Sequence, residues 1–340
     1  MSLTCLLRPA PSVKKCAFSN HHGVSKMSKG PQIIEGDPII DQMVKCTEGG
    51  MPTAEVKFNA DGWMLNKNFM KYADRIKNFK VRPDDVWILS FPKCGTTWSQ
   101  EMLWLLINNC NLEEANRIEL YTRAPFLELK PICSEGFDMA DSITAAEELP
   151  SPRLIKSHLP PDLLPSEIWT VKPKLLYVYR NPKDVAISYC HHYRLFNEYT
   201  GSQDLFIEAF LQDKVMFSPF WKHVLAYWNR RDLPQLKFIT FDDMKKDLRS
   251  VLKSVAEHLN VTIPADREDE VLDHLSFARM SKNPMVNFEA ERKEMGKLDQ
   301  HFIRKGETGQ WKKTLSEELV TRFDSWSNSF LAGSDFPYYS

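Results

Sequence analysis

The chain has 340 residues, 43% of them hydrophobic, with 44 Lys and Arg against 45 Asp and Glu and a formal net charge of -1. A chain this long buries roughly three quarters of its unfolded surface without a staple, and balanced charge excludes any bulk attraction to nucleic acid or an anionic membrane. The seven cysteines, Cys5, Cys16, Cys46, Cys94, Cys110, Cys133 and Cys190, are odd in number and scattered without a CxxC pair, which fits neither a disulfide scaffold nor a zinc site.

No apolar run approaches the eighteen or so residues of a membrane span, and the N-terminus lacks the apolar core of a secretory signal. A soluble, reduced, cytoplasmic protein is expected, with any anion site confined to a local cluster. Residues 1–34 contain no Asp or Glu but carry Arg8, Lys14, Lys15, Lys26 and Lys29. A disordered tail and an organellar transit peptide both fit; the single Arg and the lack of an amphipathic pattern favour the tail. We take 1–45 as an N-terminal extension and 46–340 as one domain, since no repeat or low-complexity linker interrupts the dense apolar pattern.

Short strands are predicted at Val86–Leu89, Arg153–Lys156, Lys174–Tyr179 and Lys237–Phe241, each rich in β-branched, aromatic or leucine residues. Helical spacing falls between and after them, at Trp98–Asn108, Pro182–Phe196, Phe206–Leu211, Phe220–Trp228 and Leu248–Leu259. A last stripe, Leu315, Leu319, Phe323, Trp326 and Phe330, runs up to Gly333. Strands alternating with helices argue an α/β fold, a central parallel sheet flanked by helices, with ligands beyond the carboxyl ends of the strands.

Four segments carry candidate chemistry. The first, Phe91-Pro92-Lys93-Cys94-Gly95-Thr96-Thr97-Trp98, links a strand to a helix, where free N–H groups, the helix dipole, a Lys and two hydroxyls suit an anion. It is not the nucleotide loop GxxxxGK[ST], because Lys93 precedes Gly95; the plain alternative is a βα turn whose threonines cap the helix. In the second, Lys156 and His158 stand two apart on an extended segment and so share a face, a cation beside a group able to take a proton near neutral pH. In the third, Arg180 ends a strand before Pro182 opens a helix bearing Ser188; the alternative for Arg180 is a surface pair with Asp184. The fourth, Phe302-Ile303-Arg304-Lys305-Gly306-Glu307-Thr308-Gly309-Gln310-Trp311, flanks two cations with glycines that allow close backbone approach. Each alone is an ordinary loop. Together they suit a ligand with two separate phosphate-type anions, with Trp98 and Phe277 as surfaces for a base.

With these motifs in order, the chain resembles the cytosolic sulfotransferases, particularly invertebrate-like members. The likeness runs from about residue 46 to the C-terminus: the 5′-phosphosulfate loop at 91–98, the Lys-Ser-His segment at 156–158, the 3′-phosphate segment at 179–188, the Ser276-Phe277 region and RKGxxGxWK at 304–312. The resemblance implies a single α/β domain with a phosphate loop like that of P-loop kinases. It also implies 3′-phosphoadenosine 5′-phosphosulfate as donor, adenosine 3′,5′-bisphosphate (PAP) as product, and no metal.

Carried over by position, Lys93 holds the oxygen bridging phosphate and sulfuryl group, and Thr96 and Thr97 hold the 5′-phosphate. Trp98 and Phe277 stack on adenine. Arg180, Ser188, Arg304, Lys305 and Gly306 bind the 3′-phosphate, His158 is the base, and Lys156 contacts the transferring group. Cys94, Gly95, Phe241, Leu275, Ser276, Met280, Phe302 and Ile303 complete the expected donor site. Phe58, Phe126, Tyr193 and Phe137, with Lys156 and His158, are expected to face a small hydrophobic acceptor. Three positions depart from the family: Cys94 for a commoner Ser, Phe241 for Tyr, and Leu275 for Thr. The family's dimerisation pattern is degraded across Lys312–Thr321, which argues against a homodimer by that route. Three rival functions are a small-molecule kinase, which needs a two-glycine loop and a metal-binding acid; a catalytically silent binder of apolar alcohols; and a retinol-dehydratase-like member that eliminates water through a sulfated intermediate.

Overall fold

The computed structural model describes residues 30–338. A small antiparallel sheet, β1 (Gln32–Ile33), β2 (Val56–Phe58) and β3 (Trp63–Leu65), precedes a parallel sheet of β4 (Val86–Ser90), β5 (Leu154–Ser157), β6 (Lys174–Tyr179) and β7 (Leu236–Thr240), ordered β5-β4-β6-β7. The predicted strands and helices match within a few residues, and helices Pro182–Phe196, Phe220–Trp228 and Leu248–Leu259 have the predicted bounds.

The main sheet is buried on both faces, so its strands read as continuous apolar runs whose side chains alternate between two cores. Trp87, Leu89, Leu175 and Tyr177 enter one core; Val86, Ile88, Leu176 and Val178 enter the other. From β4 the chain passes to β5 on one side and then to β6 on the other, so the crevice where such folds bind ligands opens at the end of β4. Leu89 pairs with Ser157 and Ser90 with Val178. One to three residues further on, that register brings His158, Arg180 and Lys93 to the same end of the sheet.

Residues before 46 already take part in the fold. β1 pairs with β2, and helix Pro38–Lys45, capped by Asp37, buries Ile40 and Met43 in the main core. The proposed extension therefore loses its last part to the domain, while the basic tail at 1–29 lies outside the described residues. Strands of two or three residues are too short to show alternation in a sequence, which is why β1–β3 were not expected.

Candidate active site

The loop after β4 is shaped by two left-handed residues, Lys93 at φ 69 and Gly95 at φ 101. Gly95 is the N-cap of helix Thr96–Ile107 and offers no side-chain cap, leaving the first helical N–H groups for a ligand. A Cβ at Gly95 would lie 2.7 Å from the Phe241 ring, so the position needs glycine for space as well as conformation. The alternative in which the threonines cap this helix is not what forms. Thr96 is buried with its hydroxyl 2.7 Å from the Ser90 hydroxyl, and Thr97 borders the cavity. The Lys93 ammonium stands 4.3 Å from the Phe302 ring centre. Burial, and then the neighbouring Lys156, Arg180 and Arg304, bring its pKa down to about 7.

His158 follows β5 and is buried. Its Nδ1 lies 2.8 Å from the carbonyl oxygen of Ser90, which can only accept, so Nδ1 carries the proton and donates, leaving Nε2 with its lone pair. Burial and the adjacent Lys156 hold the imidazole pKa well below its ordinary value, so the ring is neutral at neutral pH. Segment 125–128 runs beside β5: Leu127 N–H donates to Lys156 O at 2.9 Å, and Lys156 N–H donates to Pro125 O at 2.9 Å. That pairing sets Phe126 4.2 Å from the Lys156 ammonium and gives the Glu128 carboxylate the backbone N–H of His158. Burial raises Glu128 to about 7 and lowers Lys156 to about 8.

Arg180 joins three parts of the basic end. It donates to Glu307 O at 2.8 Å and to Lys93 O at 3.4 Å, and stands 4.3 Å from the Phe241 ring centre; its Nε is buried without a partner. Asp184 is not a surface mate for it. Buried at 3% exposure and 3.9 Å from Arg180, the Asp184 carboxylate accepts from Gly309 N–H at 2.7 Å and Trp311 N–H at 3.1 Å, clasping the closing loop. Gly306, at φ 57, lets that loop meet Phe277: a Cβ there would lie 2.5 Å from the ring. Buried Glu101 accepts from Arg123 at 2.8 Å and bonds His274 Nε2 at 2.7 Å, tying helix Thr96–Ile107 to the segment that leads into Leu275–Phe277.

One cavity of about 620 Å³ collects these groups. Its wall includes Lys93, Gly95, Thr96, Thr97, Trp98, Lys156, His158, Arg180, Ser188, Phe241, Leu275, Phe277, Met280, Phe302, Ile303, Arg304, Lys305 and Gly306, with Phe126, Phe137 and Tyr193 on the apolar side. Three expected residues do not line it. Cys94 turns into the core while Lys93 faces the cavity, and burial pushes its thiol up to about 12. Phe58 is a core residue packed edge-on to Phe69, and the Ser276 hydroxyl accepts from Arg279 N–H as a helix cap. Residues the sequence did not single out include Glu128, Met216, Phe217, His192 and Asn197. For Glu128, an acid inside the apolar run Pro125–Leu129 was a usable signal.

The sulfotransferase domain family matches residues 83–335. Luciferin sulfotransferase of Photinus pyralis is 36% identical, covering 99% of this chain and 91% of its own length. Sulfotransferase 1E1 of Mus musculus is 34% identical, covering 77% of this chain and 88% of its own length. Among solved structures, retinol dehydratase in a complex with retinol and PAP superposes with a TM-score of 0.82 at 29% identity, over 92% of this chain and 100% of that one. The chain belongs to the cytosolic sulfotransferase family, enzymes that use 3′-phosphoadenosine 5′-phosphosulfate.

Proposed function

We propose that this protein transfers the sulfuryl group of 3′-phosphoadenosine 5′-phosphosulfate to a hydroxyl of a small hydrophobic acceptor, with His158 as the base. The observation that carries this reading is the Ser90 carbonyl on His158 Nδ1, which leaves Nε2 unprotonated in the same cavity as Lys93 and Lys156. The acceptor hydroxyl gives its proton to Nε2 as its oxygen attacks sulfur. The sulfur–oxygen bond to the 5′-phosphate breaks in line, and the negative charge that moves onto the departing phosphate oxygen meets Lys93, Lys156 and the free N–H groups opening helix Thr96–Ile107. Arg180, Ser188, Arg304, Lys305 and Gly306 take the 3′-phosphate, and the unpartnered Nε of Arg180 supports an anion there. Trp98, Phe241 and Phe277 take the adenine. A cytoplasmic location is consistent with five free thiols among the described residues.

A panel of phenols, steroids and aliphatic alcohols with labelled donor tests the reading. Transfer to at least one is expected, and His158→Ala should lower kcat by about 10²–10⁴ while PAP affinity holds. Transfer to none, or undiminished transfer by the variant, overturns it. The likeness to retinol dehydratase favours one second reading, in which the sulfate ester loses sulfate and a proton to a base to leave an alkene. Mass analysis of the product from an allylic alcohol separates the two.

A further inference from the structure

Helix Pro182–Phe196 borders the cavity with Ser188 and, one turn later, with His192. The proposed reaction gives His192 no task. Its ring lies among aromatic groups, with centroids 4.9 Å from Phe196, 6.1 Å from Tyr189 and 6.4 Å from Phe302. Nδ1 is sealed from solvent without a hydrogen-bond partner, whereas Nε2, which no described residue bonds, is not sealed. The other histidines that the fold encloses are all engaged: His158 with Ser90, His191 with the His301 carbonyl, His223 with Tyr177, His258 with the Leu175 carbonyl and His274 with Glu101. A half-buried imidazole with neither nitrogen paired is unusual, because leaving a polar group unpaired inside a protein carries the cost of its desolvation, and the open nitrogen, Nε2, is the one a ligand in the cavity can reach. On the same helix's C-cap, Asn197 repeats the feature: its Nδ2 donates to Met51 O at 2.7 Å, while its Oδ1 is buried and unpartnered.

Burial and the nearby Lys93 and Lys156 hold His192 neutral, so it offers one donor and one acceptor. A hydroxyl, itself donor and acceptor, matches either tautomer. A purely hydrocarbon wall would need no such group, and Phe196 and Phe302 already supply one.

We propose that His192 is a specificity-determining residue that hydrogen-bonds a second hydroxyl of the acceptor, so that a favoured acceptor presents one hydroxyl to His158 and another to the wall at His192. This rests on the acceptor reading above, but its test does not need turnover. Binding of naphthol and of naphthalenediols with increasing hydroxyl separation is measured by calorimetry with PAP bound, for wild type, His192→Phe and His192→Gln. One hydrogen bond to a desolvated partner predicts at least one diol bound about fivefold to tenfold more tightly than naphthol by wild type. That preference vanishes in His192→Phe, which keeps an aromatic wall, and partly returns in His192→Gln, with PAP affinity unchanged throughout. His192→Leu replaces the Phe variant if the latter does not bind PAP. A wild type without diol preference, or a preference that survives His192→Phe or His192→Leu, overturns the inference. Turnover separates the two levels: diol discrimination without sulfation sinks the proposed reaction alone, whereas sulfation of naphthol and diols without discrimination sinks only the role of His192.

Discussion

The two ends of the cavity are built by different means. The basic end comes from three short motifs anchored to the main sheet and its helices: Lys93 follows β4, Arg180 follows β6, and Asp184 holds Gly309 and Trp311 of the closing loop. The apolar end is gathered from separate segments, among them Met51-Pro52, Phe126, Phe137, Tyr193 and Met216-Phe217. Backbone donors and strand register position the first, so a shift of one residue would dismantle it. The second depends on which side chains the loops deliver, and can change without moving the sheet. Between them, Lys156 within β5 and His158 just after it belong to both.

Variants of the basic end should therefore alter donor binding and chemistry while leaving acceptor KM alone. The largest effect after loss of His158 is expected from Lys93→Met, which removes a cation from the leaving phosphate and should lower kcat by about 10²–10³. Single-turnover kinetics with saturating donor would measure it, and an equal rise in acceptor KM would break the division. Asp184→Asn weakens the acceptor of two loop N–H groups and should reduce PAP affinity about tenfold, with faster proteolysis near residues 304–311.

A smaller effect is expected from pH. Lys93 titrates near 7 when the cavity holds no anion. A bound phosphate favours the ammonium and raises that pKa, so binding takes up a proton and is strongest below about 7. Affinity for PAP should then fall by at most about tenfold per pH unit above 7, a slope that Lys93→Met removes. Calorimetry in buffers of different ionisation enthalpy counts the proton. The smallest effect belongs to Cys94→Ser. With the thiol in the core, PAP affinity should change by less than about twofold, and a thermal melt should register a stability loss of order 1 kcal/mol. A large gain in affinity would return residue 94 to the cavity.

Local pattern made much of the basic end legible. Continuous apolar strands, a proline opening helix Pro182–Phe196 and the order of the motifs are features within a dozen residues, where periodicity and turn chemistry act. Facing direction was less legible. Cys94 and Lys93 are neighbours in one motif, yet only Lys93 reaches the cavity, because the left-handed turn and the core behind it assign each side chain its side. Phe58 and Phe126 are both aromatic residues in short segments; pairing with β3 buries the first, and pairing beside β5 exposes the second to the site.

The sequence by itself determined the α/β class, the strands and helices of the main sheet, and the cations and histidine of the crevice, since those follow from local periodicity and residue chemistry. Only the tertiary structure decided the proton's position on His158, the clasp of Asp184 on the closing loop, the buried carboxylate of Glu128 and the unpartnered imidazole of His192. Each of these depends on groups far apart in the chain, brought within hydrogen-bond reach or denied a partner by packing alone.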